Sequence, residues 1–181
     1  MEYSVGILEL KSIAKGVQAA DDALKSSGIR LISAQPVCPG KFELLFTGEL
    51  AQVEASMDKI KTGYMPYIVD SVLLGRIDPN VVKALLGAQS TAKKGAVGVI
   101  ETFSVASSIL AADTAVKASN VDILELRAAR GVGGKGIVYI TGEIADVTAA
   151  VEAGSRYAKE QGLFVGSSVI GSPHTDLWDY L

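Results

Sequence analysis

The sequence predicts an α+β chain built from two copies of one unit. Each copy is a β-α-β-β-α-β run closed by a short terminal helix. Three observations carry this reading. The chain repeats on itself at a nearly fixed offset. Within each copy, short β-rich runs alternate with segments whose apolar residues recur at helical spacing. And 181 residues, 49 % of them apolar and 20 % charged, make too apolar a chain for disorder.

The repeat is visible when the sequence is slid by 92 residues. Val5-Gly6-Ile7-Leu8-Glu9 then lies over Val97-Gly98-Val99-Ile100-Glu101, and Ala19-Ala20-Asp21 over Ala111-Ala112-Asp113. From residue 5 to residue 31, 11 of 27 positions are identical. The offset then becomes 94, which places a two-residue insertion in the second copy before its glycine cluster. Gly40-Lys41 now matches Gly134-Lys135, and Thr47-Gly48-Glu49 matches Thr141-Gly142-Glu143. A period of this length is the mark of duplicated structure. The copies are read as residues 1–90 and 95–181, joined by a polar, glycine-bounded linker between Gly87 and Gly95.

The elements follow in order. Val5 to Leu10 is a strand. Ile13, Val17, Ala20 and Leu24 then keep helical spacing, as do Val105, Ile109, Ala112 and Val116 in the second copy. Ser12 and Ser104 stand where an N-cap hydroxyl accepts from orphan amides of the first turn. Gly28 and Asn120 sit where each helix stops, and both tolerate a left-handed conformation. Ile29–Ala34 and Phe42–Phe46 read as strands around a Pro/Gly loop. Leu50, Val53, Met57 and Ile60 give a second helix, matched by Ile144, Val147 and Val151. Ile68–Leu74 and Leu163–Ile170 are strands, and Pro79 and Pro173 each open a short final helix. The order is a ferredoxin-like split βαβ arrangement, twice.

Composition removes several function classes. Lys+Arg total 17 and Asp+Glu 20, for a net charge of -3, which lacks the basic surface a general nucleic-acid binder needs. No apolar run reaches the ~18 residues of a membrane span. Mean hydropathy is +0.32 despite the charge, which points to buried surface that includes subunit interfaces. The first residues have no basic n-region or long apolar h-region, so the expectation is a cytoplasmic chain in a reducing compartment. One Cys and one His cannot form an intrachain disulfide or close a zinc site within one chain.

Gly131-Val132-Gly133-Gly134-Lys135-Gly136 satisfies G-x-G-x-x-G. A dinucleotide fingerprint must follow a strand and open a helix, whereas Ile137-Val138-Tyr139-Ile140 here is strand-like. A phosphate P-loop fails because Gly136 takes the Ser/Thr position. Cys38 lies in Pro36-Val37-Cys38-Pro39-Gly40, the first copy's counterpart of the glycine loop. A lone Cys is commonly a small buried hydrophobe; two flanking prolines and a glycine favour a rigid loop tip here. Iron–sulfur centres need several thiolates, so one Cys per chain suffices only if symmetry gathers copies at an axis. His174, whose counterpart is Asn80, reads as a cap or an interface contact. Trp178 and Tyr180 read as packing anchors. Lys25 and Lys117 stand at the ends of equivalent helices, solvated or in intersubunit contact. Glu9 and Glu101 end equivalent strands, a duplicated and therefore structural position. No triad, carboxylate pair or metal box emerges, so an enzyme is not expected.

The tandem units, Val5–Glu9 with the Ala19–Lys25 segment, and Gly133-Gly134-Lys135 before a strand resemble bacterial microcompartment shell proteins. The resemblance spans nearly the whole chain and recurs in both halves. It implies the tandem-domain type, which forms homotrimers that mimic hexagonal tiles, packs beside other shell proteins, and resides in the compartment shell. The Val37–Phe42 segment is similar to tandem shell proteins of propanediol-utilisation compartments, known for an iron–sulfur cluster on the three-fold axis. That likeness implies Cys38 as ligand of one [4Fe–4S] cluster per trimer, with one iron lacking a Cys and a redox partner on one side of the shell. Val37, Cys38, Pro39 and Gly40, with Val132, Gly133 and Gly134 at alternate positions, would line the pore. Lys25, Lys117 and His174 would be tile-edge contacts. The second copy departs from the family at that edge, with Gly171-Ser172 before Pro173-His174 where an arginine is usual. Two alternatives stay open: a cluster-free tile whose pore conducts small metabolites, and a trimeric ferredoxin-like regulator that binds a ligand between subunits.

Overall fold

The computed structural model describes residues 4–87, 95–129 and 131–181. The expected linker at 88–94 lies outside the described residues. Two compact units emerge, one of residues 1–77 with 130–134, the other of residues 78–129 with 135–181. The second unit thus includes the short helix that opens at Pro79.

In the first unit, β1 (Ser4–Leu10), α1 (Ile13–Ser26), β2 (Arg30–Val37), β3 (Lys41–Gly48), α2 (Leu50–Tyr64) and β4 (Ile68–Leu74) follow one another. The sheet order is β2-β3-β1-β4, with every neighbouring pair antiparallel. β1 sits centrally and is buried along its whole length, Glu9 included. Even positions of β1 face the helices: Leu8 and Leu10 pack with Leu44, Phe46, Val53, Met57 and Ile60 in one core. A Cβ on Gly6 would stand 2.5 Å from the Phe46 ring, so glycine is what lets that ring lie flat over β1.

The second unit holds α3 (Pro79–Leu85), β5 (Ala96–Thr102), α4 (Val105–Ala118), β6 (Val121–Ala128), β7 (Gly136–Gly142), α5 (Ile144–Glu160) and β8 (Phe164–Ile170). Its sheet order, β6-β7-β5-β8, repeats the first. The irregularities repeat as well: register shifts at Glu9/Leu10 and Leu31/Ser33 recur at Glu101/Thr102 and Ile123/Glu125. Thr47 Oγ1 donates to the Ser4 carbonyl at 2.9 Å, and Thr141 Oγ1 to the Ala96 carbonyl at 2.9 Å. The inserted residues fall in the β6–β7 connection, between Ala128 and Gly136.

Four expectations need correction. Both serine caps form, with Ser12 Oγ accepting from Lys15 N at 3.3 Å and Ser104 Oγ from Ser107 N at 3.1 Å. The helix ends are different: α1 and α4 stop at Ser27 and Ser119 in extended conformation, and neither Gly28 nor Asn120 is left-handed. The buried face of α1 is Gly16, Ala19, Ala20 and Ala23, while Ile13, Val17 and Leu24 are exposed. Small residues bring that helix close to the sheet, and the large apolar ones point away from it. The segment after Pro173 is a 3₁₀ turn, Thr175–Tyr180, rather than an α-helix. His174 Nδ1 caps it, accepting from Asp176 N at 3.3 Å. Trp178 is half-buried, but Tyr180 is 83 % exposed rather than packed as an anchor. None of the helices is long and apolar enough to cross a membrane among the described residues.

Candidate functional site

Cys38 stands at the tip of the β2–β3 turn. β2 ends at Val37, which is buried, and β3 starts at Lys41. Between them the Cys38–Pro39 peptide is cis, Gly40 takes φ 89, and Gly40 N donates to the Val37 carbonyl at 3.0 Å. A cis-proline at the third position of a four-residue turn makes a type VI turn. The result is a short, closed loop with Cys38, Pro39 and Gly40 exposed. Cys38 is a free thiol at its surface.

The glycine loop is the corresponding turn of the second copy. It runs into β7, a strand, so the dinucleotide reading is excluded by its context. Gly131, Gly133 and Gly134 take φ 73, 65 and 84, which is why glycine is needed at all three. Ala129 N donates to the Lys135 carbonyl at 3.1 Å and closes the loop base. Gly133 is exposed, Val132 half-buried and Gly134 buried. Gly134 lies directly against the Cys38 carbonyl and the Pro39 ring; a Cβ there would collide with both.

Beneath the Cys38 turn sits a charged anchor. Lys41 Nζ pairs with Glu9 Oε1 at 2.7 Å and also donates to the Gly134 carbonyl at 3.1 Å. Glu9 is fully buried. Gly40-Lys41 was matched to Gly134-Lys135 in the sequence, and Lys135 likewise pairs with Glu101, at 3.1 Å. Glu9 and Glu101 are therefore anchors of equivalent loops. Sequence reasoning missed the remaining acids of this row: Glu43 on β3 and Asp70 on β4 are both in register with Glu9 and both buried. Gln35 Nε2 donates to Glu43 Oε1 at 3.2 Å. Only strand register brings these four positions together, and register is not written in a single sequence.

Lys25 and Lys117 are where the repeat puts them, in the last turns of α1 and α4. Each pairs with the Asp one turn earlier, Lys25 with Asp21 at 2.5 Å and Lys117 with Asp113 at 2.6 Å. The Asp21 hydrogen bond, and then its charge, hold Lys25 above the ordinary lysine range. His174 is exposed at the start of the terminal 3₁₀ turn.

The chemistry this loop offers is one thiolate per chain. Among the described residues, no group of three or more His, Cys, Asp or Glu of the chain could hold a metal ion. The turn is open at Gly40, where a Cβ would meet nothing within 4 Å. An exposed thiol on a closed turn fits a cluster shared between chains, each supplying one sulfur.

A family model described as the BMC domain matches twice, over residues 4–77 and 96–173. The chain is 43 % identical, over 98 % of its length and 97 % of the relative, to the bacterial microcompartment shell protein PduT of Citrobacter freundii. It is 27 % identical to the carboxysome assembly protein CcmO of Synechococcus elongatus, over 98 % of this chain and 68 % of that one. A crystal structure of a microcompartment protein from Desulfitobacterium hafniense superposes with a TM-score of 0.83 at 42 % identity, covering 98 % of each chain. With the same split βαβ unit found twice, the chain belongs to the BMC-domain family, as a tandem-domain structural shell protein of bacterial microcompartments.

Proposed function

We propose that this shell protein closes as a homotrimer into a hexagon-like tile, and that its three Cys38 thiolates hold one [4Fe–4S] cluster at the central pore. The observation that carries the reading is the position of Cys38: exposed, free, and at the tip of a turn that has its repeat counterpart in the glycine loop. Three chains of two units each give six such loops around one axis. Cysteine turns and glycine loops then alternate, and the glycines leave the space between thiolates free of side chains. When bound, the cluster supplies one-electron transfer, and in a shell wall that serves to pass electrons between lumen and cytoplasm.

The chain's own residues set the geometry. The Gly40 N to Val37 carbonyl bond holds the turn shut. The Lys41–Glu9 pair fixes the start of β3 immediately behind it, and Gly134 packs against the Cys38 backbone. A thiol carried on so short a turn has little freedom beyond its own χ1. Preorganisation of this kind reduces the ordering cost of bringing three ligands together.

Cys38→Ser tests the assignment. The variant is expected to keep the folded trimer, because the side chain is exposed, and to lose the brown absorbance and EPR signal of anaerobically reconstituted protein. Equal iron binding in the variant would reject Cys38 as ligand. The glycine-rich loop, exposed at Gly131 and Gly133, favours one second reading, a cluster-free tile whose pore conducts small metabolites. A colourless wild-type trimer that passes small solutes would decide for it.

A further inference from the structure

The two copies of the unit differ in what their equivalent surfaces cover. In the second unit, Val105, Ile109 and Ile123 are buried, at 0 %, 0 % and 5 % exposure. Their repeat counterparts in the first unit are Ile13, Val17 and Leu31, at 40 %, 57 % and 38 %. Four large apolar residues, with Leu24 at 46 %, thus line one side of α1 and β2. Isolated exposed apolar residues are ordinary, but a stripe whose duplicate is buried is not.

In the second unit, α3 packs on β6 and α4, with Val81 and Ala84 buried. At its start Asp113 Oδ1 accepts from the backbone N–H of Asp78 at 2.8 Å, while Asp113 Oδ2 pairs with Lys117. Asp113 is the repeat counterpart of Asp21. Asp21 already has its lysine, Lys25, at 2.5 Å, and its carboxylate is 56 % exposed. The counterpart of Asp78 is Ser172, which precedes Pro173 as Asp78 precedes Pro79. The segment that follows Ser172 carries Leu177, Trp178 and Tyr180, the last 83 % exposed.

We infer that the α1/β2 face of the first unit is the docking site for residues 172–181 of a second copy of this chain, with Asp21 accepting the backbone N–H of that copy's Ser172. The inference rests on the homotrimer reading and specifies how the ring closes. The occupant is identified by the chain itself: the second unit displays the same receptor surface with the equivalent peptide already on it. The interface is head-to-tail, donor segment of one copy to receptor helix of the next, the type that closes into a ring. Leu177, Trp178 and Tyr180 would cover Ile13, Val17, Leu24 and Leu31.

The test is the oligomeric state of the full chain and of three variants by sedimentation and native mass spectrometry. Asp21→Ala removes the acceptor without touching the core and is expected to raise the concentration of half-dissociation about tenfold or more. Val17→Glu places a charge in the apolar stripe, and a chain ending at Gly171 lacks the donor segment; both are expected to be folded monomers. Circular dichroism checks that each remains folded. Asp113→Ala serves as the internal control, lowering the melting temperature of the chain rather than its association. A wild-type monomer would overturn the homotrimer reading and this inference with it. A wild-type trimer that survives all three changes intact would overturn this inference alone and leave the trimer standing.

Discussion

Two pairs of residues show how duplicated positions drift together. Gly16 on α1 leaves room for the Phe42 ring of β3, and a Cβ there would run into it. At the equivalent place in the second unit the volumes are exchanged: Ser108 on α4 lies against Gly136 of β7. Each pair fills one site, so a change on one side is tolerated only with a change on the other. Gly16→Ser is expected to cost about 1–3 kcal/mol by overpacking, and to cost almost nothing in a Phe42→Gly background. Chemical denaturation of the four proteins of that cycle measures the coupling; additive effects would show that the ring does not fill the glycine's space. Lys41 tests the charged anchor. Lys41→Met removes the lysine that pairs with the buried Glu9 carboxylate, and loss of one partner of a buried pair is expected to destabilise by about 3–5 kcal/mol. A loss below 1 kcal/mol by the same measurement would mean that Glu9 has enough other support. Neither the glycine exchange nor the acidic row around Glu9 is legible from spacing. Both depend on strand register, which the apolar pattern of a strand buried on both faces leaves open.

The elements themselves were largely legible, because the repeat supplies each prediction twice. A strand seen at Val5 is seen again at Val97, and an N-cap at Ser12 again at Ser104. What misled was the helix face. Reading large apolar residues as the core side of α1 gave Ile13, Val17 and Leu24, whereas the chain buries Gly16, Ala19, Ala20 and Ala23. Small residues carry little hydropathy, yet they allow close packing against a sheet. Ile13 and Val17 are the repeat counterparts of Val105 and Ile109, which are buried, while Val116, the counterpart of Leu24, is half-buried. The segment after Pro173 likewise departs from the expected helix, forming the 3₁₀ turn Thr175–Tyr180. The two caps give a test at this scale. Ser12→Ala and Ser104→Ala should each cost about 1 kcal/mol. Ser104 is fully buried and its backbone sits inside the unit, so its loss is expected to be the larger of the two. Thermal unfolding of the two variants ranks them, and the opposite order would place the more important cap on α1.

For the whole molecule, an apparent shortage became an arrangement. One cysteine in 181 residues is too little for a metal site in a single chain. In the proposed ring of three it becomes three thiolates, and the docking inferred above would cover the exposed stripe of Ile13, Val17, Leu24 and Leu31. Family, fold and repeat were readable from the sequence because duplication writes them twice. The proposed cluster comes from resemblance alone, since no spacing of ligands within the chain encodes a site completed by other chains. Native mass spectrometry of the anaerobically reconstituted protein tests the central claim most directly. The account predicts a trimer heavier than three chains by one [4Fe–4S] cluster, and the same trimer without that increment for Cys38→Ser. A wild-type trimer with no bound iron or sulfide after reconstitution would contradict it.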